Sequence, residues 1–277
     1  MKTPALLVVT PTLGESPWLS RTVESVAHYA GANTRHILVA PESRADELHA
    51  RFPHCIIVAD RVRRGVYPAI NQGIAAALAE SWEYFTWLND DDAFAPGFSR
   101  HLARALLCDP EENIWFYGGV RLRGPSDENL GHLPIARFTN DIVPLAEAGI
   151  NPLNQQGMLV PRPALMQLGN IREDLRICGD VDFWLRGLRD GARFRLTGAT
   201  VAEFRLRKGQ ISGDVEAHRR EFARAVAGVF AGRSGPLRRA LARTRFRAGN
   251  AFVYLERIRR CGWRGGFDML ADPAPES

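Results

Sequence analysis

Short apolar runs alternate with amphipathic stretches along the first hundred residues. ALLVVT (5–10), HILVA (36–40), CIIVA (55–59) and YFTWLN (84–89) carry several β-branched residues and are bounded by turn formers, which predicts strands. Residues 16–30, 42–52 and 66–82 instead repeat apolar positions at helical spacing, the first with Ser16 as N-cap and Pro17 at the first helical position. Strand alternating with helix predicts an α/β fold, a mostly parallel sheet covered by helices on both faces. Ligands bind such sheets beyond the carboxyl ends of the strands, which gathers TPTLGES (10–16), APES (40–43) and NDDDAF (89–94) at one rim.

The second half is less regular. IWFYGGVRL (114–122), QQGMLVP (155–161) and ARFRLTGATVAEFRL (192–206) read as strands, and GDVDFWLRGLRDG (179–191) reads as an amphipathic helix. Residues 123–154, rich in Gly, Pro, Asn and Asp, form a long loop of the kind that usually serves function. From 214 to 260 two helices are expected, broken at GRSGP (232–236).

Composition adds compartment and charge. At 277 residues, 45% hydrophobic and 24% charged, the chain is in the range of soluble globular proteins. It has no apolar run of membrane-spanning length and no signal-peptide layout at MKTPALLVVTPTLGES, so a cytoplasmic protein is expected. The four cysteines are scattered without ligand spacing and read as structural thiols. The net charge of +5 is uneven: residues 215–265 hold 13 Arg, no Lys and 3 Glu, a balance of +10 that leaves −5 elsewhere.

Three carboxylates, Asp90, Asp91 and Asp92, end the fourth apolar run. If the strand continues through them, Asp90 and Asp92 share a face and Asp91 points away. Two carboxylates roughly 5 Å apart at an effective dielectric of about 20 repel by roughly 3 kcal/mol, which a hard divalent cation such as Mg²⁺ or Mn²⁺ relieves. The competing reading is a solvated acidic turn capping the helix near Pro96. Asp180 has two readings as well, an ordinary helix cap or a catalytic carboxylate.

TPTLGES, then RRGVYPAINQGIAAAL (63–78), WLNDDDAF (87–94), CGDVDFWLRGL (178–188) and FRLRKGQIS (204–212) together resemble inverting, nucleotide-sugar-dependent glycosyltransferases of family 2, over roughly residues 4–215. The resemblance implies the GT-A fold, a Rossmann-like sheet flanked by helices. It implies a domain at 1–213, with its nucleotide-binding part at about 1–122 and its acceptor-binding part at about 123–213. A basic helical extension, 214–277, follows. It further implies that Thr10, Pro11 and Thr12 line the nucleotide site, that the segment from Gly65 to Gly73, with Asn71, lies under the nucleotide and its ribose, and that Gln155 and Gln156 lie near the diphosphate and the acceptor entrance. Asp90 and Asp92 take the DxD positions, with Asp92 the metal ligand, assisted by Asp90, and with Asp90 or Asp91 at the ribose or the metal's waters. Asp180, in a GD where relatives have ED, becomes the base that deprotonates the incoming hydroxyl.

Some positions depart from the family pattern. Where relatives carry a base-reading Asp this chain has Ala40 and Pro41, which leaves two readings, Glu42 as the substitute or a looser recognition of the base; YDAMN reads YPAIN; and a metal-binding His is replaced by Arg207 and Lys208, cations suited to contacting diphosphate directly. The implied activity is transfer of a sugar from a nucleoside-diphosphate sugar (UDP or another) to a glycan or lipid-linked acceptor hydroxyl in cell-surface polysaccharide biosynthesis, with Mg²⁺ or Mn²⁺. The alternative is a degenerate, non-catalytic relative that binds a sugar nucleotide or a protein partner. For the arginine-rich tail two readings stand: an interfacial helix on anionic lipid at the inner face of the membrane, or helices whose apolar face covers the domain. Nucleic acid is not expected, since no recognised motif accompanies the charge.

Overall fold

The computed structural model describes residues 4–61, 64–207, 209–210, 213–230 and 232–267. Its elements run β1 (Leu6–Pro11), α1 (Leu19–Ala30), β2 (Thr34–Pro41), α2 (Ala45–Arg51), β3 (Ile56–Asp60), α3 (Val66–Ala76), β4 (Tyr84–Trp87), β5 (Ala93–Phe94), α4 (Gly97–Ala105) and β6 (Ile114–Arg123). The second half continues with β7 (Asn129–His132), α5 (Ile142–Glu147), β8 (Val160–Pro161), α6 (Arg162–Leu168), α7 (Gly179–Arg189), β9 (Arg193–Arg205), α8 (Val215–Val229), α9 (Pro236–Gly249) and α10 (Ala251–Phe267).

The main sheet has the order β3-β2-β1-β4-β8. β1 pairs in parallel with β2 and β4, and β2 with β3, while β8 closes the edge antiparallel to β4. β1 is buried along its whole length, which explains why LLVVTP is uninterrupted where a one-sided strand would alternate. A smaller sheet, β5-β9-β6-β7, lies beyond β4, tied to the main one by a bridge between Phe116 and Leu159. Helix α3 packs flush on the main sheet because Gly73 has no side chain; a Cβ there would sit 2.5 Å from Val9 Cγ1.

The expected strand at 155–161 is limited to Val160–Pro161, and the expected strand at 84–89 stops at Trp87. Helix α1 begins at Leu19, without a side-chain cap. The Ser16 hydroxyl instead donates to the Asp90 carbonyl at 2.8 Å and accepts from the Trp18 N–H at 3.3 Å, ahead of the helix.

Among the described residues the C-terminal region forms α8, α9 and α10, an extra break falling at Asn250 and a kink interrupting α10 at Gly262. The buried Asn250 side chain donates to the Ile135 and Phe246 carbonyls and accepts from the Ile135 N–H. The arginine-rich segment is not an appendage: Phe222, Ala225, Val226, Ala242 and Phe246 belong to the same buried cluster as Val9, Trp87 and Phe183. Among the described residues no helix is long and apolar enough to cross a membrane.

Candidate active site

Beyond the carboxyl ends of β1 and β4 lies a cavity of about 320 Å³, lined among others by Pro11, Tyr67, Asn89, Asp90, Asp91, Gln155, Gln156, Asp180, Arg207 and His218. The acidic loop forms one wall. Because β4 ends at Trp87, the strand alternation does not reach the aspartates; a tight turn follows, closed by the Asp92 N–H donating to the Asn89 carbonyl at 3.1 Å. The turn directs Asp90 and Asp91 into the cavity and Asp92 into the protein, correcting the expectation that Asp90 and Asp92 share a face.

Asp92, 1% exposed, sits where the two sheets meet. Its carboxylate accepts from the Arg205 N–H of β9 at 3.0 Å, from Gln156 Nε2 at 3.2 Å and from Asn89 Nδ2 at 3.4 Å. Burial, and then the neighbouring Asp91 charge, push its pKa well above the ordinary carboxylate value. The side chain expected to hold metal is thus hydrogen-bonded within the protein, and the cavity-lining carboxylates of this loop are Asp90 and Asp91. Asp90 accepts from Thr12 Oγ1 at 2.6 Å, yet desolvation raises its pKa to about 6. Asp91 Oδ2 lies 2.6 Å from Arg207 Nε.

The opposite wall carries Asp180, the second residue of α7. Burial raises its pKa to about 6, opposed by hydrogen bonds from the Val181 backbone and from Tyr67. The Tyr67 hydroxyl donates to the Ile177 carbonyl at 2.7 Å and lies 3.4 Å from Asp180 Oδ1. Gly179 is required beside it: a Cβ there would meet the Tyr67 ring at 2.6 Å. Asp182, by contrast, is structural, buried against Arg186 at 2.7 Å.

Of the other expected site residues, Gln155 lines the cavity whereas Thr10, Glu42 and Asn71 do not. The Thr10 hydroxyl is fully buried and bonded to His36 Nε2 at 3.0 Å. Asn71 is a buried clamp, donating to the Ile171 carbonyl at 2.8 Å and accepting from the Ile171 N–H at 3.0 Å. Glu42 stands on the surface paired with Arg61 at 3.1 Å. Gly65 caps α3 with φ 120°, just before the cavity-lining Val66 and Tyr67. Gln155 donates to the Trp87 carbonyl at 2.6 Å, fixing the end of β4. Lys208 lies outside the described residues. Tyr67, within the expected segment from Gly65 to Gly73, lines the cavity, as do residues that the sequence did not flag: Asn154, Arg176 and His218, the last from α8.

Two of the lining residues hold buried polar atoms without a hydrogen-bond partner, Asn89 Oδ1 and Asn154 Nδ2. Such atoms are costly unless a polar ligand engages them. No three His, Cys, Asp or Glu side chains cluster at metal-binding distance among the described residues. The donor set nevertheless fits a hard divalent ion: Asp90 and Asp91 offer carboxylate oxygens, and Mg²⁺ or Mn²⁺ commonly takes one or two of these with water and substrate phosphate supplying the rest. Arg207 occupies the charge position beside Asp91.

With this geometry in place, residues 7–143 match the family model described as glycosyl transferase family 2. The chain belongs to that family. An uncharacterized glycosyltransferase of Rickettsia felis (strain ATCC VR-1525 / URRWXCal2) is 22% identical over 196 residues, which cover 67% of this chain and 32% of that protein. The chain therefore spans about a third of the length of that curated relative. In three dimensions this family 2 chain is similar to S. aureus TarS, with a TM-score of 0.60 at 11% identity over 97% of this chain and 46% of the other. TarS 1–349 is solved with UDP and with UDP-GlcNAc. The mannosyltransferase PcManGT from Pyrobaculum calidifontis, in complex with GDP-Man and Mn²⁺, has a TM-score of 0.56 at 16% identity over 94% of this chain and 74% of that one. These likenesses show the GT-A fold.

Proposed function

We propose that the chain transfers a glycosyl group from a nucleoside diphosphate sugar to an acceptor hydroxyl by single displacement, inverting the anomeric centre. The observation that carries this reading is one cavity with Asp90 and Asp91 on one wall and a pKa-raised Asp180 on the other. The acceptor oxygen attacks the anomeric carbon while the bond from that carbon to the diphosphate oxygen breaks and its electron pair leaves with the diphosphate. The acceptor's proton passes to the Asp180 carboxylate. Asp91 with Asp90 would hold a divalent cation, whose charge would offset the negative charge gained by the leaving diphosphate. Arg207 adds a fixed cation on that wall, and the unpartnered Asn89 and Asn154 atoms hydrogen-bond the donor. Neighbours solved with UDP, UDP-GlcNAc and GDP-Man support a nucleotide-sugar donor.

A base must be ionised to act, so the rate should rise with pH through about 6 and then level off. The linkage to stability has the opposite sign. With a folded pKa above the unfolded one, Asp180 favours folding fully below pH 4 and loses that contribution as pH rises through about 6. Asp180→Asn is thus expected to melt a few degrees higher than the parent at pH 7.5 while the two converge near pH 4, as followed by calorimetry.

The acceptor is proposed to be a glycan or lipid-linked hydroxyl of surface polysaccharide biosynthesis, met at an anionic membrane face. Helix α9 buries Ala242 and Phe246, whereas Leu237 and Leu241 on its other side are 84% and 50% exposed. Phe252 and Leu255 of α10 are 86% and 50% exposed. Arg238, Arg243, Arg247, Arg259 and Arg260 surround these apolar stripes. An apolar stripe flanked by arginines suits the headgroup boundary of a bilayer. The full chain is expected to sediment with phosphatidylglycerol vesicles and at least tenfold less with phosphatidylcholine. Leu237→Glu/Leu241→Glu should abolish sedimentation, and equal binding to both lipids would remove this part of the reading.

A further inference from the structure

A second cavity, about 500 Å³, runs between α5 and α8 and reaches Arg239 of α9. It shares Asn151 and His218 with the cavity that holds Asp180, so the two adjoin. Its size is within the roughly 300–1,000 Å³ usual for small-molecule sites. The floor is apolar, formed by Ala146, Phe222, Val226 and Phe230, the buried parts of the core that α8 and α5 close over. Small residues at the rim, Ala223, Ala227 and Gly149, leave it open to solvent.

The charges at the rim are not balanced within the protein. Neither Arg219 nor Arg239, which both line the groove, pairs with a carboxylate among the described residues. The one lining carboxylate, Glu147, is already engaged, accepting the Arg233 and Ser234 N–H groups at 2.7 and 2.8 Å. Where the groove meets the cavity that holds Asp180, the His218 ring stacks on Phe222, and burial holds its pKa below the usual imidazole value.

We infer that this groove binds an amphiphile, its hydrocarbon chain on the Phe222–Val226–Phe230 floor and its phosphate at Arg219 and Arg239, as the non-reacting part of the acceptor. An apolar floor offers a bare glycan few hydrogen-bond partners, and two exposed arginines alone would hold phosphate only weakly. Together they match a ligand with both features, and the shared residues Asn151 and His218 lead its remaining polar end toward Asp180. The assignment as acceptor site rests on the proposed transfer reaction; the ligand chemistry does not.

Titration calorimetry of the full chain with dodecyl phosphate below its micelle concentration, inorganic phosphate and dodecyl maltoside tests this without turnover. Dodecyl phosphate should bind at least tenfold more tightly than either other probe. Ala227→Trp, which fills the groove at an exposed position, and Arg219→Gln/Arg239→Gln, which removes only surface charge, should each weaken it at least tenfold. Nucleoside diphosphate binding with Mn²⁺ should be unchanged in both. Binding of dodecyl phosphate unaltered by either variant would place the ligand elsewhere and overturn the proposal, as would equal affinity for inorganic phosphate or for the neutral detergent. If the groove variants act as expected but no sugar nucleotide binds or turns over, the groove stands as an amphiphile site and the transfer reading fails instead.

Discussion

Asp180→Asn is expected to lower kcat by about 10²–10⁴-fold while leaving nucleoside diphosphate affinity within about twofold, since a general base contributes on that scale. The change keeps the shape of the side chain and its contact with Tyr67 but removes the carboxylate's ability to take a proton. The residual rate should also lose the rise with pH near 6 that the parent shows. Single-turnover measurement of nucleotide release across pH 5–9, alongside direct nucleotide titration, separates the two effects. A kcat unchanged by the substitution would remove Asp180 from the chemistry and leave it a buried helix-start residue.

The second large effect distinguishes neighbours in one acidic loop. Asp91→Asn should cost about 10²–10³-fold in kcat, the scale for losing one stabilising group on developing charge, and should weaken Mn²⁺-dependent nucleotide binding. Its fold should persist, because the released partner, Arg207, is 39% exposed and can turn to water. Asp92→Asn should do the reverse. All three donors around Asp92 are N–H groups, so an amide must set its own NH₂ against at least one of them. A buried hydrogen bond lost this way costs about 1–3 kcal/mol, a fall of roughly 2–10 °C in melting temperature for a domain of this size. Metal-dependent binding that tracks Asp92 and not Asp91 would assign the metal to Asp92.

Much of the fold was legible because its strands announce themselves locally. LLVVTP and HILVA are continuous apolar runs since both faces of the sheet are covered there, IIVAD forms the half-buried edge strand, and their parallel order follows from the helices between them. The rim position of the acidic loop followed from the same topology. What the pattern could not show was where side chains turn once regular structure stops. The aspartates lie past the end of β4, and the pairing of β5 with β9 determines that Asp92 points inward to meet the Arg205 N–H. The contacts of Thr10 and Asn71 were hidden for a related reason: their partners, His36 and Ile171, are 26 and 100 residues away. Polar residues satisfied by such distant partners look the same in sequence as polar residues waiting for a ligand. His218 was overlooked because the domain was expected to end at residue 213, whereas α8 packs into the main core and supplies part of the cavity wall.

The central claim is that this cavity moves a sugar from a nucleoside diphosphate to an acceptor hydroxyl. Its most direct test is nucleotide release from a panel that includes UDP-GlcNAc and GDP-mannose, with Mg²⁺ or Mn²⁺, by the full chain and by Asp180→Asn, followed by determination of the product's anomeric configuration. The account predicts release from at least one donor, its loss in the variant, and a product of inverted configuration. Tight nucleotide binding with no release from any donor, or a product that retains the donor's configuration, would contradict it.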